Sequence, residues 1–211
     1  MPTLPGFPLI LGFLAGSIPF GLLLVRILFR KDLRREGSGN IGATNAARCA
    51  PVRWRIPFFL LVWALDAAKG FLPVLWVLGS VDAGRRPEIL QGVLTGAAAV
   101  AGHVFSPFLG GRGGKGVATT SGVFLALDPL AFALGVAVFL TSFLFLRIVA
   151  IASILMGFTL ALASMLRDPE AALGARLPLS LAACLLASTL VWTHRSNLRA
   201  LRRSHRTEPR A

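Results

Sequence analysis

Residues Gly37-Ser38-Gly39-Asn40-Ile41-Gly42-Ala43-Thr44-Asn45-Ala46-Ala47-Arg48 crowd glycines, hydrogen-bonding side chains and one guanidinium together. Glycines let backbone N–H groups turn toward an anion, and arginine grips phosphate oxygens with two parallel bonds. A second cationic glycine loop, Gly110-Gly111-Arg112-Gly113-Gly114-Lys115-Gly116, follows later. One such loop reads as a flexible turn; two, each with a cation, point to a phosphorylated ligand. Both match G-x-G-x-x-G, at Gly37-Gly39-Gly42 and Gly111-Gly113-Gly116. The dinucleotide fingerprint must follow a β-strand, whereas these loops follow apolar helices, so that reading fails. The second is not a Walker A loop either. Leu109 stands where the first glycine belongs, and Gly116 where Ser or Thr would hold magnesium.

Three further groups can carry chemistry. His194 and Asn197 share a helix face at i and i+3, beside Trp192 and Arg195. A plain interfacial anchor explains the aromatic and the arginine, but not the imidazole and amide, which suit a hydroxylated ligand. His103 precedes the second loop and serves either helix-end packing or support of the site. Asp66 and Lys69 lie within an apolar run, where charges are expensive, so an ion pair organising the bundle is expected.

The elements that must position these groups are membrane helices. The chain has 211 residues, 55% of them hydrophobic, and a mean hydropathy of +0.72. Its long apolar runs exclude a soluble domain, and the short alternating segments of a β-barrel are absent. The net charge of +13 sits between the runs, as in cytoplasmic loops beside anionic lipid, and not as in nucleic-acid binders. Cys49 and Cys184, one in a loop and one in an apolar run, suggest no structural disulfide. The run from Phe7 to Phe29 reads as a long helical anchor that is retained, since no small-residue cleavage pattern follows it.

Apolar runs fall at 6–29, 56–79, 89–109, 117–127, 129–146, 148–166 and 177–193. The fourth would rise only about 16 Å as a helix, against a hydrocarbon core of about 30 Å. Fusing it with the fifth would place the arginine-rich tail opposite the basic first loop, against the positive-inside bias. The expectation is therefore an all-α integral membrane protein with seven transmembrane helical segments, one of them short. Its N-terminus is outside, its C-terminus cytoplasmic, and residues 1–211 form one polytopic domain without internal repeat. The short segment would aim its N-terminal N–H groups and dipole at whatever the second loop binds. Residues Arg199 to Arg210 are expected to meet anionic headgroups.

The stretch Gly37–Arg48, together with Ala101-Gly102-His103, Arg112-Gly113-Gly114-Lys115-Gly116-Val117-Ala118-Thr119 and His194-Arg195-Ser196-Asn197, resembles the bacterial acyl-phosphate:glycerol-3-phosphate acyltransferases, the PlsY family. Asp66-Ala67-Ala68-Lys69-Gly70 also looks like that family's second span. The resemblance runs in order along nearly the whole chain. It departs in two places: the proline after His103 is displaced to Pro107, and the stretch from His194 to Glu208 is longer than the family's.

The resemblance implies transfer of a fatty acyl group from acyl phosphate to the 1-hydroxyl of glycerol 3-phosphate. The products would be lysophosphatidic acid and inorganic phosphate, in the first committed step of bacterial phospholipid synthesis. It implies Ser38, Arg48, Lys115, His194 and Asn197 as catalytic groups. Substrate contacts would come from Gly37, Gly39, Asn40, Thr44, Asn45, His103, Arg112, Gly113, Gly114 and Gly116, with the glycines cradling phosphate. Glycine-loop N–H groups and the start of the short helix are expected to hold a phosphate. No metal and no organic cofactor is expected, nor use of acyl-coenzyme A, since nothing resembles an adenine-nucleotide pocket. The soluble-type His-x4-Asp pattern is absent: Phe108, Arg199 and Arg210 stand five residues after His103, His194 and His205. His194 is the one plausible side-chain base in the motifs, and a substrate phosphate oxygen is the other proton acceptor. The expected setting is the bacterial cytoplasmic (inner) membrane, as a multi-pass monomer among lipids. The rival reading is a small transporter or binding protein for organic phosphates, since broken helices also mark transport sites.

Overall fold

A computed structural model describes residues 6–79 and 86–207, with side chains described for 6–79 and 89–203. Every regular element among them is helical. The chain divides into two compact units, Met1–Pro129 and Leu130–Ala211.

In the first unit, α1 (Phe7–Ser17) and α2 (Phe20–Phe29) share the first apolar run. One continuous helix was expected there, and the structure corrects this. Pro19 has no N–H to donate, and its ring disfavours helical ψ in the preceding residue, so Ile18 is extended at φ −64°, ψ 119°. The broken end exposes carbonyls that apolar surroundings cannot satisfy. Lys69 Nζ donates to the Ile18 carbonyl at 2.8 Å, and Ser106 Oγ donates to the Ser17 carbonyl at 2.8 Å. The sequence marked Lys69 only as one half of an ion pair with Asp66. That pair is present at 2.8 Å, fully buried, and it holds the lysine beside the break.

After the first loop come α3 (Ala43–Cys49), α4 (Arg55–Gly79), α5 (Arg86–Val104) and α6 (Val117–Leu127). α1 meets α5 through small residues: a methyl on Gly12 would collide with Thr95, and one on Gly16 with Ala99. α4 and α6 approach in the same way, Gly70 against Thr119 and Gly122 against Ala67. Lipid tails are as apolar as leucine, so membrane helices associate through such close approach.

The second unit contains α7 (Pro129–Leu146), α8 (Val149–Leu166), a short α9 (Pro169–Leu173), α10 (Leu177–Thr193) and α11 (Arg195–Thr207). α7 begins after Asp128, whose φ of −150° and ψ of 81° end the helical path of α6. Gly135 of α7 rests on Met156 and Leu160 of α8, and Gly157 of α8 rests on Ala187 and Leu190 of α10. α11 leaves α10 at 45°. Glu208, at the end of the resemblance, lies outside the described residues.

Among the described residues five stretches are long and apolar enough to cross a bilayer: Phe7–Phe29, Val52–Gly79, Ile89–Leu109, Pro129–Leu146 and Val149–Leu166. A sixth arises where α10 and the first part of α11 count as one bent span. The molecule is an all-helical membrane protein.

Candidate active site

The first loop is shaped by one side chain. Asn45 sits near the start of α3, where its Nδ2 donates to the carbonyls of Glu36 and Asn40 at 2.9 Å and of Leu33 at 3.3 Å. Its Oδ1 accepts from the Ser38 amide at 3.1 Å. The side chain is 3% exposed. The loop can curl around this amide because Gly37 and Gly39 take φ of 52° and 69°, a region costly for other residues. Asn40 Oδ1 accepts from the Gly42 amide at 2.8 Å, which fixes the entry into α3. Ser38 and Arg48 are exposed, and Thr44 is half-buried. A methyl on Gly37 would lie 3.6 Å from Arg48 Nη1, so loop and guanidinium are neighbours. Asn40 and Asn45 were expected among the substrate contacts; in this fold both side chains are engaged in building the loop.

The second loop is built on the end of α5. Gly113 and Gly114 donate their amides to the carbonyls of Val104 and His103, each at 2.9 Å. Gly111 donates to Ser106 at 2.9 Å. The His103 ring is buried beneath Gly114, and a Cβ there would collide with its Nε2. His103 Nδ1 lies 4.0 Å from Asp66 Oδ1, which continues the polar thread from Lys69 to the loop. The expectation that these glycines turn their N–H groups toward an anion therefore needs correcting. The amides of Gly113 and Gly114 close the turn, and Gly39 donates to the Glu36 carbonyl at 2.9 Å. The glycines' other contribution is the absence of a side chain. Gly116, at φ 84°, then starts α6.

The first loop rests on a hydrophobic cluster that also reaches the residue before the second loop. Leu33, Ile41, Ala43 and Ala46 from the first loop and α3 pack with Val25, Phe58 and Val62, and Leu109 beside the second loop packs against them. Arg112 is exposed and Lys115 is half-buried. Burial brings the Lys115 ammonium down to about 8.

In the second unit His194 ends α10 and is 2% exposed. Its Nδ1 lies 2.8 Å from the Leu190 carbonyl. A carbonyl can only accept, so in the neutral ring Nδ1 carries the proton and Nε2 the lone pair. Asn197 is half-buried one turn on, and its Oδ1 accepts from Ser196 Oγ at 3.4 Å. Arg195 stacks on Trp192 at 4.1 Å and donates to the Trp192 carbonyl at 2.8 Å. Sequence reasoning missed Ser17 and Ser106, whose roles follow from the broken helix end and not from any motif.

A helical membrane protein whose first unit carries two cation-bearing glycine loops has parts suited to a phosphorylated ligand. The sequence matches the Glycerol-3-phosphate acyltransferase family over residues 7–204. It is 40% identical over 201 residues to the glycerol-3-phosphate acyltransferase of Myxococcus xanthus, covering 95% of this chain and 96% of that one. A Leptospira borgpetersenii relative is 46% identical over 153 residues, 72% of this chain and 66% of its own length. The fold matches the glycerol 3-phosphate form of PlsY, an integral membrane glycerol 3-phosphate acyltransferase. That match has a TM-score of 0.82 at 33% identity, over 95% of this chain and 92% of that one. The lysophosphatidic acid form matches with a TM-score of 0.80 at 31% identity, over the same shares. The chain belongs to the glycerol-3-phosphate acyltransferase family.

Proposed function

We propose that this protein transfers a fatty acyl group from acyl phosphate to the 1-hydroxyl of glycerol 3-phosphate. The hydroxyl oxygen bonds to the acyl carbon, the bond from that carbon to the phosphate oxygen breaks, and phosphate leaves with the electron pair. Lysophosphatidic acid and inorganic phosphate result. The carrying observation is that the first loop and α3, which carries Arg48, pack into one hydrophobic cluster against which Leu109 also packs, just before the loop that carries Lys115. Related structures in forms named for glycerol 3-phosphate and for lysophosphatidic acid supply the acceptor and the product.

Acyl phosphate is already activated, so the task is to place two anions together and balance their charge. Arg48 grips one phosphate with two parallel bonds, and Lys115 neutralises charge on the other. Ser38 and Asn197 orient the glycerol, with Thr44 and Arg112 as further phosphate contacts. Gly37, Gly39, Gly113, Gly114 and Gly116 let a phosphate come close to the backbone, and amide donors come from the first turn of α6. Asn40, Asn45 and His103 act by holding the two loops in shape. The hydroxyl proton goes to His194 Nε2 or to a phosphate oxygen of the substrate, and the Nδ1–Leu190 contact supports the first.

We place the chain in the bacterial cytoplasmic membrane as a monomer among lipids, working without metal or organic cofactor. Residues 1–211 serve as one acyltransferase domain with seven membrane segments, α6 being the short one. The N-terminus is outside and the C-terminus cytoplasmic, as the basic loops suggest. Purified protein should release phosphate from acyl phosphate only when glycerol 3-phosphate is added, in equal amount to lysophosphatidic acid formed. Phosphate release indifferent to glycerol 3-phosphate would overturn the reading.

A further inference from the structure

At the C-terminal end of α2 lies a cleft of about 400 Å³, lined by Arg26, Arg30, Lys31, Asp32 and Arg34. None of these residues is among the groups assigned to acyl transfer. Arg30 ends the helix at φ 55°, in the left-handed region, where helices reverse the chain. That turn lets Lys31, Asp32 and Arg34 line the same cleft as the last turn of the helix.

Four cations face one carboxylate there, and the carboxylate is already engaged. Asp32 Oδ2 and Oδ1 accept from Arg34 Nη2 and Nε at 2.7 and 2.9 Å. Those hydrogen bonds hold the Asp32 carboxyl well below its usual range, so it stays ionised and bound to Arg34. Lys31 Nζ keeps only a loose approach to Glu36 Oε1, at 3.8 Å. Arg26 and Arg30 hold no ion pair among the described residues. Both line the cleft, so their like charges repel until an anion bridges them. The same helix presents Leu23, Ile27 and Leu28 at 42%, 71% and 56% exposure. A free anion has no use for that apolar surface, whereas a lipid carries a phosphate and chains to lie along it.

We infer that this cleft binds the phosphate of an anionic phospholipid, with its acyl chains along the outer face of α2. The inference needs only the membrane location and stands whether or not the acyl-transfer reading does. Headgroup and tail are both required, so inorganic phosphate alone binds weakly. Lipid seated here also tethers the turn that leads into the first loop.

Native mass spectrometry of the purified full chain tests this, with phosphatidylglycerol or phosphatidylcholine of matched chains added to detergent. The wild type should retain phosphatidylglycerol in preference to phosphatidylcholine, and millimolar inorganic phosphate should not displace it. The variant Arg26→Gln/Arg30→Gln/Lys31→Gln should retain phosphatidylglycerol on the order of a hundredfold more weakly, given the attraction of three cations. Arg53→Gln/Arg55→Gln, altering exposed basic residues just before and at the start of α4 that do not line the cleft, should retain it as the wild type does. Should the triple variant melt early in lipid-free detergent, Arg30→Gln alone should still weaken retention several-fold. Undiminished retention in both cleft variants, equal retention of the two lipids, or displacement by inorganic phosphate would each overturn the assignment.

Discussion

His194 offers a direct test at the level of one residue, because one contact sets its tautomer. With Nδ1 donating to the Leu190 carbonyl, Nε2 is the atom that would take the hydroxyl proton. His194→Gln keeps a hydrogen-bonding group and removes the base, so kcat should fall about 10²–10⁴-fold. Near-normal turnover would give the proton to a substrate phosphate instead. Lys115 gives a second test through pH. Its ammonium, brought down to about 8 by burial, is charged below that value and neutral above it. A lysine that balances phosphate charge must be protonated, so kcat/KM should fall as pH rises through about 8. Lys115→Arg should move that alkaline limb upward, since guanidinium stays charged throughout. An unchanged limb would remove Lys115 from charge balance.

At the level of elements, the break between α1 and α2 depends on a lysine more than forty residues away in sequence. Lys69 satisfies the Ile18 carbonyl and neutralises Asp66 at once. Lys69→Met would leave the Ile18 carbonyl only the Phe20 amide at 3.2 Å and would strand Asp66, buried and unpaired. Such a loss costs about 3–5 kcal/mol, read as a lower Tm in detergent. Lys69→Met/Asp66→Asn removes the stranded charge and should recover much of the loss; a double variant no better than the single one would deny the coupling. This arrangement was only partly legible in the sequence. Asp66 and Lys69 at i and i+3 declared their pairing, but nothing local announced a carbonyl freed by Pro19. Ile18-Pro19 did carry the signal for a break, and the apolar run around it hid that signal. The glycine loops were legible as turns, since positive φ at Gly37, Gly39 and Gly116 follows from residue type. Where their amides point depends on the path of α5 and on the Asn45 side chain, which are matters of tertiary contact.

For the molecule as a whole, hydropathy located the helices well, because apolar length is a property of the sequence itself. Sidedness is the remaining global question, and Cys49 reports on it. It ends α3 beside the first loop, half-buried, and burial raises its thiol above the ordinary range. A membrane-impermeant thiol reagent applied at mildly alkaline pH should label Cys49 in inverted membranes and not in intact cells. Cys184 lies on an exposed face of α10, and lipid should shield it from the same reagent. Labelling of Cys49 from outside would reverse the proposed orientation.

The central claim is attack at the acyl carbon with phosphate as the leaving group. Acyl phosphate carrying ¹⁸O in the bridging oxygen tests it directly when turned over with glycerol 3-phosphate. Cleavage between the acyl carbon and that oxygen puts all the label in inorganic phosphate and leaves the lysophosphatidic acid unlabelled. Label kept in free fatty acid, with a second phosphate transferred to glycerol 3-phosphate, would mean attack at phosphorus and would contradict the account.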